Sequence, residues 1–163
     1  PDRVRETLFN WLMHDISGAR CLDAFAGSGA LGFEAFSRGA CEVVFLEQAA
    51  QAAAILKKNI HTLGASQMQV IKANALAYMQ KTTQEFDIIF LDPPFGKGYL
   101  AQCLTFLEQS TILNQGGLLY MESEQETPVN TGHWQQVRLK KAGQVVYALY
   151  KKIDKTTGLE PAS

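Results

Sequence analysis

Short apolar runs alternate along this chain with longer stretches in which apolar side chains recur every three or four positions. Val4, Leu8, Trp11 and Leu12 share one face of a helix that Asp2 can cap and that the pattern carries to residue 14. Residues 20–25 then read as a strand, 26–29 as a tight glycine-rich turn, and 30–38 as a helix stopped by Gly39. The alternation repeats with a strand at 42–47, an alanine-rich helix at 49–63 closed by Gly64, a strand at 68–73 and a short helix at 75–81. A buried strand at 86–91, a helix at 100–109 with Leu100, Leu104 and Leu107 on one face, and a strand at 117–122 follow. Residues 134–141 and 144–151 read as two more strands joined through Gly143.

Strands that alternate with helices predict an α/β domain, with a mostly parallel sheet and helices on both faces. The closing hairpin adds antiparallel character near one edge. Residues 1–152 read as one domain and 153–163 as a polar tail, expected to be disordered. There is no internal repeat, low-complexity block or linker. This pattern speaks for a fold and not for a chemistry.

Composition narrows the setting. Of 163 residues, 47% are hydrophobic, enough for a substantial core. No apolar run is long enough to cross a bilayer, and the opening residues lack the order of a signal peptide. Cys21, Cys41 and Cys103 are odd in number and widely spaced, which reads as free thiols and argues against a disulfide or zinc framework. These features predict a cytoplasmic protein. His14, His61 and His133 form no catalytic or metal-binding pattern, and no metal is expected. The net charge of −1 offers no electrostatic footprint for a nucleic-acid partner.

The chemistry is concentrated in Asp92-Pro93-Pro94-Phe95, at the end of the strand at 86–91. Two consecutive prolines fix two φ angles and remove two N–H donors, so the loop is stiff and rich in acceptors. Stiff acceptors beside an aromatic face suit a planar ring with an exocyclic amine. Asp92 and the Pro93 carbonyl accept from the amine, while Phe95 stacks on the ring. Asp-Pro by itself marks turns of every kind; the whole tetrapeptide at a strand's carboxyl end is more specific.

The turn after the first strand carries Gly27-x-Gly29-x-x-Gly32, between a strand and a helix, with Glu47 about 20 residues downstream at the end of the second strand. Glycines let backbone approach a ligand, and a helix N-terminus offers unpaired N–H groups. An adenosine cofactor fits, with Glu47 on the ribose, and the loop alone accommodates either NAD or S-adenosylmethionine. Asp23, near the end of the first strand, tilts the choice: a carboxylate repels a pyrophosphate and attracts a sulfonium and an ammonium group. Asp23 can equally accept from the loop's own amides, and the two roles are compatible. Asn74 can pair with an adenine edge through its amide, or cap the helix that begins at Ala75. Glu122 and Glu124 either line the substrate mouth or sit in a solvated loop.

Asp-Pro-Pro-Phe after the fourth strand, with Phe25-Ala26-Gly27-Ser28-Gly29 after the first, resembles the class I S-adenosylmethionine-dependent methyltransferases of exocyclic amines. With Asp2-Arg3-Val4-Arg5-Glu6 at the start, Tyr120-Met121-Glu122-Ser123-Glu124 and the late Gly143-Gln144-Val145-Val146-Tyr147, the chain more narrowly resembles the bacterial 16S rRNA guanine-N2 methyltransferases. The resemblance covers all but the polar tail. It implies a Rossmann-like, mostly parallel seven-stranded sheet with the last strand inserted antiparallel. It places S-adenosylmethionine, and its product S-adenosylhomocysteine, over the carboxyl ends of the first two strands.

On this resemblance Asp23, Phe25, Gly27, Ser28 and Gly29 serve the cofactor, Glu47 its ribose, and Asn74 with Ala75 its adenine. Asp92, Pro93 and Phe95 hold the guanine, and Pro94 lies beside it. Arg3, Arg5, Arg38 and Lys97 are candidate phosphate contacts, each of which is otherwise an ordinary solvated charge. The implied partner is 16S rRNA, free or within the small ribosomal subunit, met by a monomer. DNA adenine and protein glutamine amides remain alternatives that present an amine to a similar motif, and an NAD-dependent oxidoreductase is a further one.

Overall fold

A computed structural model of the chain describes residues 2–94 and 98–153. Phe95, Lys97 and the tail at 154–163 lie outside the described residues.

The elements follow in the order α1 (Asp2–Trp11), β1 (Arg20–Asp23), α2 (Ala30–Ser37), β2 (Glu42–Glu47), α3 (Ala50–Leu63), β3 (Met68–Lys72), α4 (Ala75–Lys81), β4 (Phe86–Leu91), α5 (Tyr99–Gln109), β5 (Leu113–Ser123), β6 (Trp134–Ala142) and β7 (Val145–Lys152). Seven strands form one sheet in the order β3-β2-β1-β4-β5-β7-β6. Strands β1 to β5 are parallel; β7 runs antiparallel to both its neighbours, wedged between β5 and β6. The expected sheet with its inserted reversed strand is therefore present.

Strand periodicity separates the core into two layers. Cys21, Val43, Phe45, Ile88, Phe90 and Tyr120 face one layer, packed against Val4, Leu8 and Phe9 of α1, Leu12 just beyond it, Ala35 of α2 and Leu56 of α3. Leu22, Val44, Leu46, Ile89, Leu91 and Met121 face the other, against Ala75 and Met79 of α4 and Cys103, Leu104 and Leu107 of α5. Strands buried on both sides read as continuous apolar runs, which is why 42–47 and 86–91 are so clear in the sequence.

Two elements differ from expectation by more than two residues, and β1 ends at Asp23, two residues short. The first helix ends at Trp11, three residues short, and a turn closes it with Ile16 N–H donating to Leu12 O at 3.0 Å. Strand β5 begins at Leu113, four residues early, because a bulge at Gly116 (φ 79°) resets the register between Phe86↔Leu113 and Ile88↔Leu118. Asn-Gln-Gly-Gly reads as a turn, yet Asn114 donates its amide to Asp87 at 3.0 Å and holds the strand in the sheet.

The last strand closes the structure with a buried cation. Lys152 is 3% exposed, and its Nζ donates to the carbonyls of Leu107 (2.8 Å), Ser110 (2.7 Å) and Leu113 (3.3 Å). It thus satisfies carbonyls at and beyond the end of α5, where a positive charge is favoured. Burial lowers its pKa.

Gly32 governs how α2 lies on the sheet. A Cβ there would stand 2.2 Å from Cε1 of Phe45 in β2. Replacing Gly32 with alanine is expected to cost about 1–3 kcal/mol of stability in urea unfolding, through displacement of α2 or the Phe45 ring.

Candidate active site

The strand order reverses between the paired neighbours β1 and β4, from which β2 and β5 lead off to opposite sides, and a crevice opens beyond their carboxyl ends. It encloses about 560 Å³ and is lined from the loop after β1 by Ala24, Phe25 and Gly27, from the end of β2 and the residue after it by Leu46, Glu47 and Gln48, and from beyond β3 by Ala73 and Ala75. Asp92, Pro93, Pro94 and Tyr99 close the other side. The volume suits a ligand of nucleoside size.

The glycine turn is held by two carboxylates. Gly32 N–H donates to Asp23 Oδ2 at 3.0 Å, tying the end of β1 to the first turn of α2. Gly27 N–H donates to Glu47 Oε1, and Ala49 N–H to Glu47 Oε2, both at 2.8 Å. Glu47 thereby clamps the loops after β1 and β2 together, and each oxygen keeps a lone pair for a hydroxyl from the crevice.

Burial pushes Asp23 up to about 7; the Gly32 N–H opposes this, and the Asp92 and Glu47 charges add to it. Burial likewise raises Asp92 to about 6, with the neighbouring Glu122 adding to the rise. Several carboxylates thus converge on one crevice, and the field there favours a cation and opposes a phosphate.

The structure distributes the candidate residues unequally. Phe25, Gly27, Glu47, Ala75, Asp92, Pro93 and Pro94 line the crevice together. Asp23 lies beneath it, 2% exposed. Ser28 and Gly29 lie on the turn outside the lining; a Cβ on Gly29 would meet Leu56 and Phe33 at 2.6 Å, so its smallness serves packing. Asn74 caps α4, its Oδ1 accepting from Ala77 N–H at 3.0 Å, which leaves its NH2 to face other partners.

Arg5 pairs with Asp2 at 3.0 Å, and Arg38 with Glu34 at 2.7 Å while its guanidinium lies over the Phe9 ring; Arg3 is exposed. Phe95 and Lys97 fall outside the described residues. Among those described, no cluster of three or more metal-ligating side chains exists and no helix is long and apolar enough to cross a membrane.

Sequence reasoning missed Tyr99 and Gln48. Tyr99 opens α5 and brings its ring within 6.1 Å of Phe25, so two aromatic side chains wall the crevice. Its distance from Phe25 along the chain left no signal. Gln48, directly after Glu47, was within reach of the same argument that singled out the acid.

The family described as Conserved hypothetical protein 95 matches residues 1–151. The chain belongs to this family. Proteins of similar sequence include Ribosomal RNA small subunit methyltransferase D of Escherichia coli strain K12, 44% identical over 153 residues, covering 93% of this chain and 77% of the relative. The protein of the same name from Haemophilus influenzae is 44% identical over 155 residues, covering 92% and 80%.

Among solved structures, yhhF from Escherichia coli matches with a TM-score of 0.88 at 44% identity, covering 93% of this chain and 85% of that one. HI0767 from Haemophilus influenzae matches with a TM-score of 0.85 at 44% identity, covering 94% and 98%. The sheet order and the reversed β7 of this Conserved hypothetical protein 95 member are those of the class I methyltransferase fold.

The buried Asp23 makes stability depend on pH. Its folded pKa lies above that of the unfolded chain, so the native state binds the extra proton between about pH 4 and about 7, and stability falls as pH rises through that window. Asp23→Asn keeps an oxygen for Gly32 N–H and removes the charge. Denaturant unfolding of this variant is expected to show a smaller loss of stability between about pH 5 and about pH 8 than the parent shows.

Proposed function

We propose that this protein transfers a methyl group from S-adenosylmethionine to the exocyclic N2 amine of a guanine in 16S rRNA. The observation that carries the reading is the placement of Asp92 and Pro93 on the rim of the crevice that Gly27 and Glu47 also line. An acceptor pair for an amine and a pocket for an adenosyl ligand thus share one opening. The curated relatives named as small-subunit rRNA methyltransferases favour rRNA as the substrate. A structural neighbour with the same fold, SMU.776, was solved in complex with SAH. The narrower choice of guanine N2 rests on the motifs of the opening helix and of Asp92 to Phe95.

The residues present fit this cofactor. Glu47 is held where it can accept from ribose hydroxyls, Phe25 and Tyr99 offer apolar walls, and the carboxylate field suits a sulfonium and an ammonium group better than a pyrophosphate. That last point weighs against a nicotinamide dinucleotide. S-adenosylmethionine supplies an electrophilic methyl group on positively charged sulfur and departs as S-adenosylhomocysteine.

The protein's part is to hold and to polarise. The amine lone pair is delocalised into the base, and acceptors on its two hydrogens favour its use in attack. The Asp92 carboxylate and the Pro93 carbonyl accept those hydrogens and stabilise positive charge as it develops on nitrogen. Asp92 then takes the proton and passes it to solvent. The pocket admits a base only when it is unstacked.

The reading requires ionised Asp92. With its pKa near 6, kcat should rise as pH passes through about 6 and level off above it. Asp92→Asn should reduce kcat on the order of 100-fold or more and remove that inflection, with cofactor affinity by calorimetry close to parental. The decisive measurement is mass mapping of methylated bases in small subunits from cells lacking the protein, before and after incubation with it and labelled S-adenosylmethionine. Label appearing as N2-methylguanine supports the proposal; label on adenine, on protein or nowhere overturns it.

A further inference from the structure

Asp92 has a neighbour that the proposed chemistry does not yet use. Register pairs Leu91 of β4 with Met121 of β5, so Asp92 and Glu122 follow side by side at the carboxyl ends of two adjacent parallel strands. Alternation puts both on the sheet face that carries Phe90 and Tyr120. The Tyr120 ring is fully buried in that layer, and its hydroxyl donates to Glu122 Oε2 at 2.8 Å. Glu122 is thereby anchored to the core rather than left to sweep through solvent. Its other oxygen takes no hydrogen bond among the described residues, and neither carboxylate belongs to any of their ion pairs. Their closeness is also felt electrostatically: the charge of Glu122 adds to the rise in the Asp92 pKa, and both raise that of Tyr120.

Two adjacent acceptors ask for two adjacent donors. The amines of biological bases differ in this respect. Adenine flanks its amine with the N1 and N7 lone pairs, cytosine with the N3 lone pair, and a carboxamide with its own oxygen; each would turn a lone pair toward a second carboxylate. Guanine alone of these sets an N–H, that of N1, next to the amine.

We propose that Glu122 is a specificity-determining residue: its unpaired oxygen accepts from guanine N1–H while Asp92 and Pro93 accept from the N2 amine, with Tyr120 positioning the Glu122 carboxylate. The inference rests on the amine-methylation reading above and adds to it the reason that guanine is selected over adenine, cytosine and glutamine. A site built to bond a substrate N–H leaves its own partly buried acceptor, here Glu122, unpaired when that N–H is missing, and so rejects the analogue.

The test replaces the mapped target guanine of 16S rRNA with 2,6-diaminopurine by splint ligation, followed by reassembly of the small subunit. Diaminopurine keeps the N2 amine and exchanges the N1–H for a lone pair. The parent protein should prefer guanine in kcat/KM. Glu122→Gln offers an amide donor to that lone pair, and should shift the guanine-to-diaminopurine ratio toward diaminopurine on the order of 100-fold. Tyr120→Phe retains the ring and should shift the ratio in the same direction by a smaller factor, through a freer Glu122.

Equal loss on both bases in Glu122→Gln, or an unchanged ratio, overturns the role of Glu122 while leaving guanine methylation by the parent intact. If the parent labels no guanine N2 in the mapping experiment, it is the underlying reading that fails. Calorimetry of S-adenosylmethionine binding to each variant separates a change in base selection from a damaged cofactor pocket.

Discussion

The hydrogen bond from Gly32 N–H to the buried Asp23 carboxylate ties the last residue of β1 to the start of α2. It fixes where the glycine turn lies, and the rest of the crevice is referred to that turn. Gly27 N–H reaches Glu47 only because the turn is so placed, and Glu47 in turn holds the loop after β2 through Ala49. The close approach of α2 to Phe45, permitted by Gly32, sets the same geometry from below. One buried carboxylate and one missing side chain therefore position the backbone that a cofactor would meet.

That arrangement carries an energetic cost. A carboxylate placed out of water favours its neutral form, and Asp23 and Asp92 are both displaced upward for this reason. Nearby acids add to the strain. An apolar residue at Asp23 would remove that cost but leave the buried Gly32 N–H without its acceptor. Acids thus gather at the carboxyl ends of β1 and β2 and at those of β4 and β5.

Much of the fold was legible because parallel strands buried on both faces are continuous apolar runs, and because helices between them carry caps and glycine stops. Residues 42–47, 75–81 and 86–91 stand where the pattern put them. The failures have local causes. The first helix stops at Trp11 because the chain must turn toward β1, although Leu12 continues the apolar face. Asn114 to Gly117 carries turn residues that the sheet uses as a bulge, since Asp87 and the neighbouring strand supply partners that no local pattern reveals. At the site, Asp92, Pro93, Glu47 and Gly27 announced themselves by residue type and position. Tyr99 did not, because its importance lies in facing Phe25 across the crevice.

By itself the amino-acid sequence determined the alternation of strands and helices, the glycine turn, the acid after β2 and the rigid Asp-Pro-Pro corner. Each depends on periodicity, φ preference or side-chain chemistry within a few residues. The tertiary structure decided which of these meet. It put β4 beside β1 at the switch point, set Glu122 next to Asp92 through strand register, and turned Asn74 toward its own helix as a cap. It also drew Lys152 inward to carbonyls more than three dozen residues distant. Contacts between residues far apart in the chain are fixed by sheet order and packing, and those are properties of the whole chain rather than of any segment.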